Sequence, residues 1–246
     1  LSRLSPGALE LASTLGEGGM GIVHGARQLS LEREVAVKTL KKDQRTPSAA
    51  LKLLREAWIT GALEHPNVVP VYDVGLEADG SPRIVLKKIA GRSWAELMGD
   101  AKEVRRRFHA SDLLEWNLRV LMQVAGAVHF AHGRGVIHRD LKPENVMIGE
   151  HGEIYVVDWG IAVALRDDGS GRLPLARDAT EMAGTPCYMA PEMLGGRPGL
   201  LTPRTDVYLL GAILFEIVVG HAPHEGDSLM EIIHRIARSQ WDLPAE

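Results

Sequence analysis

His138-Arg139-Asp140-Leu141-Lys142-Pro143-Glu144-Asn145 is followed, thirteen residues after Asn145, by Asp158-Trp159-Gly160. The first run reads as a loop after a helical stretch, with a lysine two positions beyond Asp140 and an amide five positions beyond it. Asp158 closes a run of apolar β-forming residues and precedes a glycine. A carboxylate that orients a hydroxyl, an ammonium beside a transferred phosphate and an Asn/Asp pair of oxygen donors suit Mg²⁺-assisted phosphoryl transfer. The bland alternative is a chance loop of polar turn residues, and eight consecutive fitting positions leave it little room.

Toward the N-terminus, Gly16, Gly18 and Gly21 form G-x-G-x-x-G within Leu15–Val23. Absent Cβ atoms let backbone N–H groups approach phosphate oxygens, although the pattern alone equally marks a flexible hairpin. A dinucleotide-binding turn would continue into a helix. Here Ile22 and Val23 begin a second strand, so the glycines cap a hairpin. Seventeen residues after Gly21, Lys38 lies in the buried-type run Val35-Ala36-Val37-Lys38. A lysine there needs a counter-charge or must snorkel to water. Glu56, on the next helix, and nucleotide phosphates are the two partners on offer.

Periodicity gives the frame. Glu34–Leu40, Val68–Val74 and Arg83–Ile89 read as strands, joining the two in the hairpin. Thr46-Pro47 starts a helix that runs to about Leu63, before His65-Pro66-Asn67. After Gly91 the character is helical. Asp112 and Glu115 are spaced as a capping box for a helix whose core face is expected at Leu114, Leu118, Leu121, Ala125 and Val128. Asp206–Val219, apolar almost all round, is expected to be central. Short strands at Asn145–Ile148 and Ile154–Val157 flank the turn 149–152. The fold class is therefore α+β, with residues 1–90 a small antiparallel β lobe carrying one helix and residues 91–246 a larger, mainly helical lobe.

Composition removes other classes. The chain has 246 residues, 45% hydrophobic and 24% charged, with a net charge of −4. That excludes disorder and any strong global field for nucleic acid or anionic membranes. The single cysteine, Cys187, allows no internal disulfide and fits a reducing compartment. Arg3, Pro6 and Glu10 interrupt the opening residues, so no secretory signal is expected there. The longest apolar run, Val207–Phe215, falls short of the roughly 20 residues a bilayer span needs.

Taken together, these motifs resemble the protein kinase superfamily, most closely the eukaryotic-type serine/threonine kinases of bacteria, over about residues 15–220. Thr185-Pro186-Cys187-Tyr188-Met189-Ala190-Pro191-Glu192 resembles the end of a kinase activation segment, and Asp206 the aspartate that braces the catalytic loop. The resemblance implies a two-lobed kinase-like fold and a signalling enzyme that moves the ATP γ-phosphate to Ser/Thr hydroxyls of proteins. Asp140 would orient and deprotonate the hydroxyl, Lys142 would stabilise the γ-phosphate, and Lys38, held by Glu56, would contact the α- and β-phosphates. Leu15, Gly16, Gly18, Gly19 and Gly21 would cover the nucleotide, Val23, Ala36 and Met147 would sandwich adenine, and the backbone of Lys87 and Ile89 would read its edge. Asn145 and Asp158 would hold Mg²⁺, with Mn²⁺ as an alternative. The implied partners are ATP, protein substrates and a second copy for trans-autophosphorylation, with no nucleic acid and no membrane contact within residues 1–246, in the cytoplasm. Thr180 is the expected phosphorylation site, with Arg139 facing its phosphate, in a segment 161–189 expected to be mobile before modification.

Four departures from the family pattern stand out. Trp159 replaces the usual Phe, Thr60 an aliphatic residue, and Lys87-Lys88 the usual acidic hinge start. The family also adds helices beyond the position of Glu246, including an arginine that pairs with the glutamate matching Glu192, so the helical lobe is expected to be incomplete and its central helix to expose Ile213, Leu214 and Ile217. The alternative to an active kinase is a pseudokinase-like binding module, which loss of Lys38, Asp140, Asn145 or Asp158 would announce. All four are present. A small-molecule phosphotransferase is disfavoured by the peptide-type segment ending Pro191-Glu192. His129 and His132 read as a packed helix face before a metal site, Cys187 as a packing residue, and Lys102–Arg107 as a solvated face.

Overall fold

Strand β3 (Arg33–Leu40) is the centre from which the first unit grows. The computed structural model describes residues 8–18, 21–195 and 198–239. In β3 odd and even positions are both buried, because each face has its own cover. Val35 and Val37 join Ala26 and Val85 in one apolar cluster. Leu40 and Ile84 join Ala49, Leu53 and Ala57 of helix α1 (Pro47–Ala62) in another. Around β3 lie β1 (Leu9–Glu17), β2 (Gly21–Gln28), β4 (Val71–Leu76) and β5 (Pro82–Lys87), in the antiparallel order β1-β2-β3-β5-β4. The glycine-rich loop thus joins two strands, as its sequence predicts; Gly19 lies outside the described residues.

Helix α1 starts where its sequence signal places it. Thr46 is the N-cap, its hydroxyl accepting the Ala49 N–H at 3.2 Å, and Pro47 takes the first helical position. Its buried stripe includes Glu56 and Thr60, whose hydroxyl donates back to the Glu56 carbonyl at 2.7 Å.

The residues cluster into two compact units, Leu1–Glu64 with Val69–Ala90, and His65–Val68 with Gly91–Glu246. His65–Val68 joins the second unit because Asn67 is tied there. Its carbonyl accepts the Val156 N–H at 2.7 Å and its side chain donates to the Ile154 carbonyl at 3.0 Å. Accordingly β4 begins at Val71 and not at Val68. Pro70 has no N–H to give a ladder, while its carbonyl accepts the Lys87 N–H at 3.0 Å.

The second unit contains β6 (Gly91–Ser93), α2 (Trp94–Leu97), α3 (Ala101–Phe108), α4 (Leu113–Gly133), β7 (Val136–Ile137), β8 (Val146–Gly149), β9 (Ile154–Val156), β10 (Val163–Ala164), α5 (Pro203–Val219) and α6 (Leu229–Ala237). β6, β8 and β9 form one antiparallel sheet, and β10 pairs with β7. Helix α4 packs on α5. Asp112 caps α4 by accepting the Glu115 N–H at 3.0 Å, but Glu115 turns to Arg119 instead of reaching back, so only half of the expected capping box forms.

Two expectations fail here. The buried face of α4 is Asn117, Val120, Val124, Ala127, Val128 and Ala131, so Val128 of the expected face is in it, whereas Leu114 is 49% exposed and Leu118 also faces solvent. Helix α5 begins at Pro203 after the cap Thr202, and it is not buried all round. Leu209, Ala212 and Ile213 are buried, while Val207, Leu214 and Val218 are exposed, so Ile213 belongs to the core and not to the surface. The segment 161–189 also carries more structure than its composition suggests. The Leu165 N–H donates to the Gly135 carbonyl at 2.7 Å and the Ala164 N–H to the Pro174 carbonyl at 2.9 Å.

Candidate active site

In the first unit, strand parity builds the charged pair. Lys38 sits opposite Ile84 on the α1-facing side of β3, and its ammonium lies 2.6 Å from Glu56 Oε1. Glu56 is 8% exposed, so this partner answers the cost of placing Lys38 within a buried strand. Nearby, Gly18 N–H donates to the Gly21 carbonyl at 2.9 Å. A Cβ on Gly21 would lie 2.9 Å from the Thr39 carbonyl, whereas Gly16 has no neighbour within 4 Å of that position. Ala36 is buried between its register partners Gly25 and Leu86, Val23 pairs with Lys38, and Leu15 is exposed on β1. The basic hinge start has its own explanation, since Lys88 donates to Glu34 at 3.0 Å.

In the second unit, the loop 138–145 is held by one buried carboxylate. Asp206 accepts the backbone N–H of His138 and of Arg139, each at 2.9 Å, and the Nε2–H of His132 at 2.8 Å. His138 is buried and packs against Trp159 with ring centroids 4.4 Å apart and the ring planes tilted by 56°. Its Nδ1 accepts the Asp140 N–H at 3.1 Å, which leaves Nε2–H to donate to the Val157 carbonyl at 3.3 Å. Burial pushes its imidazole below the ordinary histidine range, against the pull of Asp206, Asp140 and Asp158. Trp159 fills its place as an aromatic plug, but its buried indole N–H has no acceptor among the described residues.

Two side chains then meet at a threonine. The Thr185 hydroxyl donates to Asp140 Oδ1 at 2.8 Å and accepts from Lys142 Nζ at 2.7 Å, with Lys142 3.5 Å from Asp140 Oδ2. Gly184 makes this approach feasible. It has φ of 124°, and a Cβ there would lie 3.0 Å from the Arg139 carbonyl. Asn145 donates through Nδ2 to the Asp140 carbonyl at 2.8 Å and to Asp140 Oδ2 at 3.0 Å. That orientation commits its nitrogen and turns its amide oxygen to other use. Asp158 is exposed with φ of 60°, directly before Trp159. Asn145 and Asp158 thus supply hard oxygen donors, a chemistry that fits a divalent cation taking its remaining ligands from phosphates and water. Met147 lies on β8 between Ser93 and Tyr155.

Farther along, Tyr188 O–H donates to Glu216 at 2.7 Å, and burial pushes both groups up. Glu192 accepts the Thr205 hydroxyl at 2.8 Å. Burial pushes the Cys187 thiol up from its ordinary range. His132 turns to Asp206 and His129 is exposed, so the two histidines do not converge on one point. In α3 the guanidiniums of Arg106 and Arg107 hold the Glu103 carboxyl down to about 2, so the basic run partly neutralises itself. Sequence reasoning missed two contacts, Thr185 with Asp140 and His132 with Asp206. The partners stand 45 and 74 residues apart, and no local spacing rule joins them.

Comparison with known proteins agrees with this geometry. Residues 9–244 match the protein kinase domain family. The chain is 37% identical over 235 residues to the serine/threonine-protein kinase PknB of Mycolicibacterium smegmatis, covering 93% of this chain and 35% of that protein. It is 36% identical over 233 residues to PknB of Mycobacterium tuberculosis, with the same coverage. It is 32% identical over 251 residues to the serine/threonine-protein kinase PknD of Protochlamydia amoebophila, covering 96% of this chain and 25% of that protein. The chain therefore spans a quarter to a third of the length of these relatives. With Asp140, Lys142, Asn145 and Asp158 in one unit, the Lys38–Glu56 pair in the other and this match across nearly its whole length, the chain belongs to the protein kinase domain family.

Proposed function

We propose that this domain transfers the γ-phosphoryl group of ATP to serine and threonine hydroxyls of proteins, in a signalling role. One observation carries the reading: a threonine hydroxyl already donates to Asp140 while Lys142 donates to the same oxygen. A substrate hydroxyl replacing Thr185 there would give its proton toward Asp140 as its oxygen attacks phosphorus, and Lys142 would balance the charge that develops. Lys38, positioned by Glu56, would bind the α- and β-phosphates beneath Gly16, Gly18, Gly19 and Gly21. Leu15, Val23, Ala36 and Met147 would enclose adenine, with the Lys87 and Ile89 backbone at its edge. Asn145 and Asp158 would hold Mg²⁺, or Mn²⁺ in its place, and the bound ion would neutralise phosphate charge.

Thr180 is the proposed phosphorylation site, modified by a second copy of the chain. It is exposed, and its neighbour Glu181 acts electrostatically on Arg139, a buried guanidinium whose Nε has no partner among the described residues. A phosphate there would supply that partner after displacing Glu181. Thr180→Ala is expected to lower activity several-fold, and Arg139→Ala to abolish the difference between the two forms. Full activity without phosphate at Thr180, read by mass spectrometry, ends this part of the reading. No helix among the described residues is long and apolar enough to cross a membrane, and we place the domain in the cytoplasm.

Incubation with γ-labelled ATP, Mg²⁺ and a generic protein substrate tests the main reading. Label on the chain or the substrate, lost in Asp140→Asn, is expected. No label on either favours the binding-module alternative, and label confined to small molecules favours a small-molecule phosphotransferase.

A further inference from the structure

The second unit holds a cavity of about 260 Å³ that Asp140, Lys142, Asn145, Asp158 and Thr185 do not line. One side is the end of α4, with His132 and Arg134, and the start of β7 at Val136. The other is the loop from Leu165 to Leu175. That loop is closed on itself. Its base is the Ala164–Pro174 hydrogen bond, and inside it Asp168 accepts both the N–H and the hydroxyl of Ser170. Gly169 and Gly171, at φ of 74° and 64°, allow the tight path. The cavity is thus preformed, and its volume lies just below the range of drug-sized pockets, about 300–1,000 Å³.

Its lining selects a ligand class. Val136, Leu173 and Leu175 give an apolar side. Of the charged groups, Asp168 is bound to Ser170, and Asp167 accepts the Gly169 N–H at 2.8 Å and lies 3.8 Å from Arg177. Arg134 and Arg166 are exposed and have no ion-pair partner among the described residues; Arg134 lies only over the Phe130 ring, 5.2 Å from its centroid. We propose that this cavity binds a small organic anion, with its carboxylate or phosphate at Arg134 and Arg166 and a short apolar body against Leu173 and Leu175. The site is also wired to the catalytic loop. His132, on the cavity wall, donates to the same Asp206 oxygen that accepts the His138 N–H. An occupant that shifts His132 changes the brace of that loop, and by linkage the state of the loop changes the affinity of the occupant. Only this regulatory consequence rests on the kinase reading; binding itself does not.

The test uses the chain with four probes: hexanoate, hexyl phosphate, inorganic phosphate and hexylammonium. Methyl NMR of Leu173 and Leu175 is expected to show saturable binding of at least one hexyl anion, with Kd on the order of 0.1–1 mM for a ligand of this size. Preference for hexanoate or for hexyl phosphate identifies the source of the charge. Leu173→Trp, which fills the cavity, and the surface double variant Arg134→Ala with Arg166→Ala are each expected to weaken binding at least tenfold while ATP affinity stays unchanged. The double variant keeps the test valid if Leu173→Trp fails to fold. Saturating anion should alter amide hydrogen exchange at His138 and Arg139 at least threefold. The proposal is overturned if no hexyl anion saturates by about 10 mM, if hexylammonium binds equally well, or if binding survives in the double variant. Binding with unchanged exchange at His138 and Arg139 refutes the coupling. Loss of labelling activity with intact anion binding would instead count against the kinase reading.

Discussion

Asp140 and Asp158 are both carboxylates of the second unit, yet their surroundings assign them different work. Asp140 is engaged by a hydroxyl, an ammonium and an amide, which in the proposed function makes it the group that would act on the acceptor. Replacing it by Asn is expected to lower turnover about 10²–10⁴-fold with nucleotide affinity nearly intact. Asp158→Asn would remove the charge of the proposed cation ligand and is expected to weaken Mg·ATP binding directly. Nucleotide titration of both variants checks the division, which fails if they behave alike. His138 gives a second residue-scale expectation. Its folded-state pKa lies below the ordinary histidine value, so the unfolded chain binds more protons between the two. Its contribution to stability is therefore full above about pH 6.5 and is lost as pH falls below it. Thermal melts at pH 7.5 and 5.5 should show a larger loss in the wild type than in His138→Gln. Equal losses would mean that His138 is not the group responsible.

Among the elements, α4 shows where a buried polar residue does structural work. Asn117 accepts the Trp94 indole N–H at 2.7 Å and donates to the Met98 carbonyl at 3.0 Å, tying α2 and the turn after it to α4. Asn117→Leu would leave two buried groups unsatisfied, at about 1–3 kcal/mol each. Urea unfolding should show a loss of that order, and an unchanged midpoint would count against it. The same helix explains what was legible in the sequence. The turn chemistry of Thr46-Pro47, the alternation in β3 and the glycine hairpin are local signals, and the chain obeys them. The face of α4 is not a local matter. Its leucines form one apolar stripe, and Val120, Val124 and Ala127 form another that Asn117 interrupts and conceals. Packing on α5, β7 and β9 selects between them. Likewise Glu56 was on offer to Lys38 because a lysine in a buried-type strand needs a counter-charge and the next helix carries one, whereas the meeting of Thr185 with Asp140 needed the tertiary path of the whole segment.

Across the molecule, the exposed apolar residues have a measurable consequence. Met122 is 74% exposed on α4, and Val207 and Val218 are 59% and 68% exposed on α5. Apolar surface of this kind favours association. Sedimentation should show concentration-dependent self-association of the chain, reduced in Met122→Lys with Val218→Lys. A monomer at all concentrations would remove the idea. The brace on Asp206 has a consequence of a different kind, for the order in which the molecule comes together. Its three bonds span 67, 68 and 74 residues. Contacts of such separation form only after a long stretch of chain has closed, at an entropic cost that local helices do not bear. The loop 138–145 is therefore expected to take its working shape late, when α5 docks, so that a half-folded molecule would hold the proposed catalytic side chains without a site.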